Sequence, residues 1–499
     1  MKLNPFIAGR SDASETSKYM DIFDPSTGGV IAQAPCCTQK EVEAAIAAAK
    51  DAYPMWRDTP AHKRAQLLFN LRNLINENME ELVRLVATEN GKAWNEAEGD
   101  VIKAREMTEF ACGIPSLMMG ESLMDTSSGY DTTLYREPMG VFAGIAPWNF
   151  PAMIPMGWIT PLCVACGNTI VLKAASPTPM TSLRFAELYK QAGFPDGVIN
   201  VLTCSRVEAE ALLTHPDIVG VTFVGSTDVG LHVYSTAAAA GKRVQALCEA
   251  KNHALVLRDA PITRTAAGIM NSAFGCAGER CMALPVIVAE NAIADELIEE
   301  LVRLCKLQKI GPAYDKESNL GPVVNAAHKK SIIEWIDKGV EEGAKLVLDG
   351  RNTVVPGYEN GFYVGHTIFD HVKPGMSVGE REIFGPVLCI KRVDSFEEGL
   401  ELMNAIPYAN GSVIFTQSGY YAREFTRRTH GGMVGVNVGI PVPVGVFPFC
   451  GHKQSFFGDL HCHGKDAIRF YTESKCITSH WFSEEEMKKE RVSTWDGSL

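Results

Sequence analysis

The chain has 499 residues, of which 46% are hydrophobic and 21% charged, and its formal net charge is −12. This length exceeds a single core, so two or three domains are expected, and no apolar run approaches the ~18 residues that a membrane span requires. The negative charge is spread along the chain without a basic stripe, which argues against binding of nucleic acid or anionic membranes and favours a small-molecule function.

The N-terminal stretch MKLNPFIAGRSDASETSKYM has no apolar signal core and carries too much acid for a transit peptide. This pattern predicts a protein that stays in the cytoplasm. The 14 cysteines are scattered without a repeating framework. Such scatter is typical of reduced thiols in a reducing compartment and not of a disulfide scaffold.

The spacing of apolar residues predicts helices from Thr38 to about Met119. The stretch TTLYREPMGVFAGI then changes to β-rich runs, and REPMG reads as the turn of a projecting hairpin. Apolar runs alternate with helical ones between Val141 and Leu257, which indicates βαβ units and a parallel sheet. A second alternating region, from about Asn252 to Cys450, predicts a second α/β domain, and the tail after Arg469 returns to strand texture.

The stretch FGCAGERCMAL places Cys281 directly after Arg280 among small residues. A cysteine attacks as its thiolate, which needs partial exposure and an environment that favours the anion, such as a neighbouring cation. Cysteines are also among the most often buried residues. From this stretch alone, a nucleophile and a buried thiol are equally good interpretations.

Other motifs decide between these interpretations, because they follow one another in a particular order. Together with GERC they resemble the aldehyde dehydrogenase superfamily over essentially the whole chain: PWNFP at 147–151, LKAASPTP from 172, FVGSTDVG at 223–230 and EIFGPV at 382–387. Within that superfamily the chain is most similar to the methylmalonate-semialdehyde dehydrogenase branch, in CMAL, IPSLMMGES at 114–122, AKNH at 250–253, GVNVGIPVPVGVFPF near 435 and QSFFGDL from 454.

The resemblance implies an α/β fold with two larger domains and a small β bridge. It predicts a Rossmann-type dinucleotide-binding domain from residues 1–124 and 146–249. It predicts an α/β catalytic domain from residues 250–469, and an oligomerisation bridge from residues 125–145 and 470–499. A homo-oligomer, either a dimer or a homotetramer, is expected.

The resemblance also implies catalytic roles for two residues. Cys281 would be the nucleophile, and the Asn149 side-chain amide with the Cys281 backbone N–H would hold the oxyanion that forms when the thiolate attacks an aldehyde. Preorganised donors of this kind are worth roughly 10²–10³ in rate each. Without the resemblance, Asn149 would read as a turn residue between two prolines.

The predicted cofactor is NAD, bound at a strand-to-helix turn whose amide groups and helix dipole suit pyrophosphate. The turn VGSTDVG is not GxGxxG, so it is weak evidence alone. By resemblance, Lys173 and Glu382 hold ribose hydroxyls and Phe384 lies beside the nicotinamide. The full predicted set is Ala146, Trp148, Lys173, Ser176, Gly225, Ser226, Gly230, Glu382 and Phe384. The chain has Ser176 where the family often has a carboxylate, which leaves NADP open as an alternative.

The chain departs from hydrolytic aldehyde dehydrogenases at Leu247, which stands where those enzymes have a glutamate that activates water. Without a general base, worth roughly 10²–10⁴ in rate, an acceptor that needs less help is favoured. Coenzyme A is such an acceptor, and the branch uses it. Glu249, two residues further, has two interpretations: a relocated base or a paired structural carboxylate.

The expected substrate is a short anionic aldehyde. Arg280 can bind a carboxylate with its fork of N–H groups, or it can lower the pKa of Cys281. Lys103 stands where the branch has a second arginine, so the head group is predicted as a carboxylate, sulfonate or phosphonate. No metal is predicted, because CVAC at 163–166 and HCH at 461–463 read as structural.

The favoured hypothesis is NAD-dependent oxidation of a methylmalonate- or malonate-semialdehyde-like substrate through a Cys281 thioester. The acyl group then passes to coenzyme A, with or without decarboxylation. The enzymatic alternative is a hydrolytic NAD(P)-dependent dehydrogenase that releases a free acid. The alternative from another class is a nucleotide-binding protein that has lost catalysis.

Overall fold

The structure, a computed structural model, describes residues 1–488. The first half of the chain contains β1 (Tyr19–Asp24), β2 (Gly29–Pro35), α1 (Gln39–Asp58), α2 (Ala61–Glu77), α3 (Met79–Asn90), α4 (Trp94–Ala111), α5 (Ile114–Leu117), β3 (Glu121–Ser127), β4 (Tyr130–Pro138), β5 (Val141–Ile145), α6 (Thr160–Ala165), β6 (Thr169–Lys173), α7 (Met180–Gln191), β7 (Ile199–Leu202), α8 (Arg206–Thr214), β8 (Ile218–Val224), α9 (Thr227–Ala239) and β9 (Arg243–Leu247).

The second half contains β10 (His253–Val256), α10 (Ile262–Phe274), β11 (Val286–Glu290), α11 (Asn291–Leu307), α12 (Ala326–Glu341), β12 (Lys345–Leu348), β13 (Thr367–Asp370), β14 (Val387–Val393), α13 (Phe396–Ala405), β15 (Tyr408–Ala409), β16 (Gly411–Phe415), α14 (Gly419–Arg428), β17 (Met433–Val436), β18 (His452–Lys453), β19 (Phe456–Gly458), α15 (Gly464–Phe470) and β20 (Thr472–His480). The predicted helical opening is confirmed by α1 to α5.

Helix α1 illustrates how local sequence sets an element. Thr38 accepts from the backbone N–H of Glu41, and the Glu41 carboxylate accepts from the backbone N–H of Thr38, which forms a capping box. Apolar residues at helical spacing, among them Val42, Ile46 and Trp56, are buried. The helix therefore packs one face against the sheet that follows.

Two mostly parallel sheets form the two larger layers of the fold. The first has the strand order β19-β9-β8-β5-β6-β7, and only β19 runs antiparallel to its neighbour. The second has the order β12-β13-β14-β11-β10-β16-β17, and only β12 is antiparallel. Helices cover both sheets, since parallel strands need crossover connections. The predicted α/β class is confirmed.

A separate three-stranded sheet has the order β20-β4-β3. The hairpin predicted near Tyr130 is present, but its turn lies between β3 and β4 at Ser128 and Gly129, where Gly129 has φ 76°. The expectation that REPMG forms this turn was wrong. That segment leads from β4 into β5, which belongs to the six-stranded sheet because its backbone pairs with β6 and β8.

Two strands lie outside the segments that the predicted domain boundaries assign to their sheets. Strand β3 begins at Glu121, before the predicted bridge, and β19 joins the six-stranded sheet although residues 456–458 lie in the predicted catalytic segment. The predicted bridge extends to residue 499, so its last residues, 489–499, lie outside the described part of the chain. The division into functional domains stays a prediction.

None of the helices in residues 1–488 is both long enough and apolar enough to cross a lipid bilayer.

Candidate active site

The candidate site lies where two sheet edges meet. The segments after β5, β8 and β9, at the carboxyl edge of the six-stranded sheet, carry Asn149, Gly225 and Glu249. The segments before β11 and β14, at the amino edge of the seven-stranded sheet, carry Cys281 and Glu382. Open α/β sheets commonly bind ligands at the carboxyl ends of their strands. Loops from both halves of the chain are thus brought to one place.

A cavity of about 340 Å³ occupies this position. It contains seven of the predicted site residues: Trp148, Asn149, Gly225, Ser226, Cys281, Glu382 and Phe384. The rest of its lining is Pro147, Ile154, Val224, Cys248, Glu249, His328, Ser331, Trp335 and Ile383. Clefts of this size that combine apolar walls with a few polar groups are typical of small-molecule sites.

The loop that carries Cys281 has an unusual backbone. After α10 ends at Phe274, Cys276 and Ala277 both adopt left-handed φ values, 50° and 52°. Gly278 follows with φ +75°, and a Cβ there would lie 2.1 Å from the Gly385 carbonyl oxygen. GERC therefore packs directly on EIFGP, and only glycine permits this approach.

Two asparagines hold the Cys281 backbone in place. Asn252 Nδ2 donates to the Cys281 carbonyl at 2.8 Å, and Asn410 Nδ2 donates to the same oxygen at 3.1 Å. Asn252 Oδ1 in turn accepts from the Gly411 backbone N–H at 2.7 Å. The sequence did not single out either asparagine, although Asn252 lies within the AKNH motif. Cys281 lies 29 residues from Asn252 and 129 residues from Asn410 in the chain, so neither contact is visible locally.

The Cys281 thiol is partly exposed, but burial raises its pKa to about 12. The nearby Glu382 carboxylate adds to this rise, whereas the backbone N–H groups of Cys281 and Met282 and the Arg280 guanidinium oppose it. A thiol with a pKa raised this far is protonated at neutral pH. Its activation requires a change in the charge that faces it.

Alkylation of Cys281 by iodoacetamide should therefore accelerate steeply with pH. Since only the thiolate reacts, the rate is expected to rise about tenfold per pH unit from pH 7 to pH 10. The measurement is mass spectrometry of the peptide that contains Cys281, with the exposed Cys476 as an internal reference. A plateau below pH 9 would contradict a raised pKa.

The Asn149 side chain is buried and oriented by the Cys281 loop. Its Nδ2 donates to the Glu279 carbonyl oxygen at 2.9 Å. An amide nitrogen has two N–H donors, so one orients the group and the other remains for a ligand in the cavity. This arrangement suits an oxyanion donor beside Cys281.

Replacement of Asn149 by alanine is expected to lower kcat by about 10²–10³ with little change in cofactor affinity. The reason is that the lost donor would act on charge that develops only during the reaction. Steady-state absorbance of the reduced cofactor measures kcat, and equilibrium titration measures cofactor binding. A loss confined to KM would contradict the oxyanion role.

The turn predicted to bind the cofactor has the expected strand-to-helix structure. Strand β8 ends at Val224 and α9 begins at Thr227, with Ser226 as the N-cap. The Ser226 side chain makes no capping hydrogen bond, so the first N–H groups of a 13-residue helix remain for an anion. Gly230 lets this helix approach the site, since a Cβ there would lie 2.2 Å from Cys248 Sγ. These features fit a dinucleotide pyrophosphate.

Glu382 and Phe384 lie opposite this turn. The Ala250 backbone N–H donates to Glu382 Oε1 at 3.1 Å, and burial, with a smaller contribution from Glu249, raises the pKa of Glu382 to about 8. Phe384 has φ 60° and packs edge-on against Trp148, with ring centroids 5.4 Å apart. The two side chains present a carboxyl group and an aromatic ring to one cavity.

Three other predicted cofactor residues, Ala146, Lys173 and Ser176, do not line this cavity. Ala146 follows β5, and its N–H donates to the carbonyl oxygen of Lys173 at the end of β6. Burial lowers the pKa of Lys173. Ser176 lines a second cavity of about 410 Å³, beside β1 and the start of α12.

The two predicted anion-binding side chains do not line the cavity of Cys281. Arg280 Nε lies 3.1 Å from Cys276 Sγ, and its other nitrogens donate to Glu96 and to the Asn271 carbonyl. Lys103 is exposed and pairs with Glu106 at 2.6 Å. Each cation already has a protein partner, and their roles in substrate binding stay predictions.

Leu247 and Glu249 face different surroundings. Leu247 is 5% exposed and belongs to an apolar cluster that includes Met282 and Phe456. Glu249, two residues later, lines the cavity with Cys281. An aliphatic side chain cannot accept a proton, so Glu249 is the carboxylate that this segment contributes to the site.

Helix α12 contributes side chains that the sequence did not suggest. His328 Nε2 donates to the Phe384 carbonyl at 2.7 Å, and its ring packs edge-on against Trp148. Burial lowers the pKa of His328, so its neutral form is favoured. The segment reads as an ordinary amphipathic helix, and only its packing places His328, Ser331 and Trp335 here.

The two other side-chain clusters have no ligand geometry. Cys163 and Cys166 are buried within and just after α6, and burial raises the pKa of both thiols. His463 packs against Trp158, with ring centroids 4.4 Å apart. Among residues 1–488, no group of three or more His, Cys, Asp or Glu side chains could hold a metal ion.

Comparisons with known proteins agree with this geometry. The aldehyde dehydrogenase family model matches residues 12–477. Malonate-semialdehyde dehydrogenase 2 of Geobacillus kaustophilus is 47% identical over 479 residues, which cover 96% of this chain and 99% of the relative.

Two solved structures are similar over nearly their whole length. The methylmalonate-semialdehyde dehydrogenase of Oceanimonas doudoroffii is 41% identical, with TM-score 0.95 over 97% of this chain and 99% of that one. A Sinorhizobium meliloti protein assigned to the same activity and solved with NAD is 42% identical, with TM-score 0.95 over 97% and 98%. The match of family model, sequence and structure means that this chain belongs to the aldehyde dehydrogenase family.

Proposed function

We propose that this protein oxidises a short anionic aldehyde and transfers the resulting acyl group to coenzyme A. The observation that carries the proposal is the meeting of Cys281, Asn149, Glu382 and the start of α9 in one cavity without a base at Leu247. The relatives named as malonate- and methylmalonate-semialdehyde dehydrogenases support this substrate class. Malonate semialdehyde or methylmalonate semialdehyde is the proposed substrate.

In the proposed reaction Cys281 Sγ attacks the aldehyde carbon and forms a hemithioacetal. The free Asn149 N–H and the Cys281 backbone N–H hold the oxyanion, and the two asparagines at the Cys281 carbonyl keep this backbone in position. Bound NAD would supply the hydride acceptor that oxidation of the hemithioacetal to a thioester needs. A thiol acceptor then releases the acyl group, with or without loss of carbon dioxide.

The cofactor would be held by groups from several segments of the chain. The first N–H groups of α9 and Ser226 suit the pyrophosphate. Glu382 precedes β14, and Lys173 is the last residue of β6. Both side chains can form hydrogen bonds with ribose hydroxyls. The S. meliloti protein solved with NAD supports NAD as the cofactor.

The head group and the assembly are further parts of this proposal. Arg280 would bind a carboxylate by exchanging its Glu96 partner, which is 3.2 Å away. The three-stranded sheet leaves Leu123, Met124, Tyr135 and Ile477 exposed, which supports a homo-oligomer formed through it. The 14 free cysteines suit a reducing compartment such as the cytoplasm.

The test is turnover with malonate semialdehyde and methylmalonate semialdehyde, each with and without coenzyme A and with NAD or NADP. Reduced-cofactor absorbance gives the rate, and mass spectrometry identifies the product. An acyl-CoA with NAD is the expected result. Free acid formed at the same rate without coenzyme A would support the hydrolytic alternative instead.

A further inference from the structure

Glu249 is a cavity carboxylate to which the proposed function assigns no role. It follows β9, whose last residue, Leu247, points into the apolar cluster, and it lines the same cavity as Cys281 and Asn149. Nothing in the reaction described above uses it.

The backbone around Glu249 is held firmly on both sides. The Cys248 N–H donates to the Ser455 carbonyl at 2.9 Å, and Ser455 Oγ donates to the Glu249 carbonyl at 2.7 Å. The next residue, Ala250, donates its N–H to Glu382. The segment therefore presents the Glu249 side chain in a defined direction.

The Glu249 carboxylate itself is only loosely engaged. Tyr408 OH lies 3.4 Å from Glu249 Oε2, which is long for a hydrogen bond between oxygens. A carboxylate can accept about four hydrogen bonds. A structural role would predict short contacts such as those that Glu89 makes with the backbone N–H groups of Met180 and Thr181, at 2.7 and 2.8 Å. Glu249 thus keeps acceptor capacity for a ligand in the cavity.

We propose that Glu249 is the general base that takes the proton from the acceptor thiol during acyl transfer. This inference rests on the proposed function. The S–H bond breaks and its proton goes to the Glu249 carboxylate, while the sulfur forms a bond to the acyl carbon of the Cys281 thioester. The Asn149 and Cys281 N–H groups hold the oxyanion. The bond between the acyl carbon and Cys281 Sγ then breaks, Cys281 leaves as thiolate, and Glu249 releases its proton to water.

A base is useful here because an ordinary thiol with a pKa of about 8.5 is only roughly 3% ionised at pH 7. A proton acceptor can therefore raise the rate of acyl transfer up to about thirtyfold at that pH. It gives no advantage at a pH where the thiol is already ionised. The titratable and charged groups around Glu249 are Cys248, Lys251, Cys281, Arg381, Glu382 and Tyr408.

The test compares Glu249→Gln with Tyr408→Phe in the full-length protein. Tyr408→Phe removes the same Tyr408 contact but keeps the carboxylate. Rapid mixing with NAD and aldehyde, without coenzyme A, gives a burst of reduced cofactor that reports thioester formation. Steady-state turnover with coenzyme A, from pH 7 to pH 9, reports acyl transfer when that step limits the rate.

The expected result is an unchanged burst in both variants, with CoA-dependent turnover of Glu249→Gln reduced about ten- to thirtyfold at pH 7 and approaching wild type at pH 9. Unchanged turnover, a loss that is equal at every pH, or loss of the burst would each overturn the base role. If Glu249→Gln does not fold, Glu249→Asp, which retains a carboxylate, must keep the wild-type pH profile. Failure of the proposed function is distinct, since wild-type protein would then show no burst or no response to coenzyme A.

Discussion

Replacement of Cys281 by serine is expected to abolish aldehyde oxidation, with a loss of kcat on the order of 10⁴ or more. A serine hydroxyl ionises far less readily than a thiol. The His328 imidazole, which lines the cavity, donates to the Phe384 carbonyl and is not positioned to activate that hydroxyl. The measurement is single-turnover formation of reduced cofactor, in which the variant should give no burst.

Binding of the cofactor serves as the control for this variant. Cys281 contributes one wall of the cavity, whereas the α9 turn, Lys173 and Glu382 lie on other segments. Quenching of protein fluorescence on titration with NAD should therefore be close to that of wild type. Retention of even a tenth of wild-type turnover would mean that another group forms the covalent bond, and the reaction scheme would have to be abandoned.

The proposed catalytic residues Asn149 and Cys281 could be predicted from the sequence because each lies in a compact motif. The residues directly beside Asn149 in PWNFP and beside Cys281 in GERC make each motif recognisable. The order of the motifs along the chain indicates that the two residues belong to one site. The same is true of the turn at Gly225 and Ser226, where a buried strand changes directly into a helix. These features depend on residues that are close together in the chain, so they can be recognised from the sequence alone.

The residues that hold the site together depend on packing between distant segments. Asn410 reaches Cys281 across 129 residues, and His328 lies on a helix whose pattern reveals only one buried face. The position of the hairpin turn was predicted wrongly for a related reason. REPMG has the composition of a turn, but the strand that follows it, β5, pairs with β8 and not with β4. Local propensity is overruled where a long-range partner offers more hydrogen bonds.

Replacement of Lys92 is expected to have a large effect on stability and on kcat, because Lys92 forms a buried ion pair that contacts the Asn149 loop. Its Nζ lies 3.0 Å from Asp100 Oδ2, and the two side chains are 1% and 0% exposed. The same Nζ donates to the Asn149 carbonyl, and Asp100 Oδ1 accepts from the Met153 N–H at 2.7 Å. The pair thus fixes both ends of the segment that carries Asn149.

Lys92→Met should destabilise the fold by about 3–5 kcal/mol, because removing one partner leaves a buried charge uncompensated. It should also lower kcat by up to about 10², since a shift of roughly 1 Å in Asn149 misplaces an oxyanion donor. Thermal unfolding and steady-state kinetics measure the two effects. The double variant Lys92→Met with Asp100→Leu should recover much of the stability, since it removes the unpaired charge.

The stability loss should depend on pH in a direction set by Asp100. Burial raises the pKa of Asp100 even with Lys92 beside it, and without Lys92 the folded-state pKa must rise further. A carboxyl group whose folded pKa lies above its unfolded value contributes stability at low pH that is lost as pH rises through the folded pKa. The gap between wild type and Lys92→Met should therefore narrow as pH falls from 8 to 5. A gap that stayed constant over this pH range would mean that Lys92 acts through its contact with the Phe150 ring, whose centroid lies 3.6 Å from its Nζ, and not through Asp100.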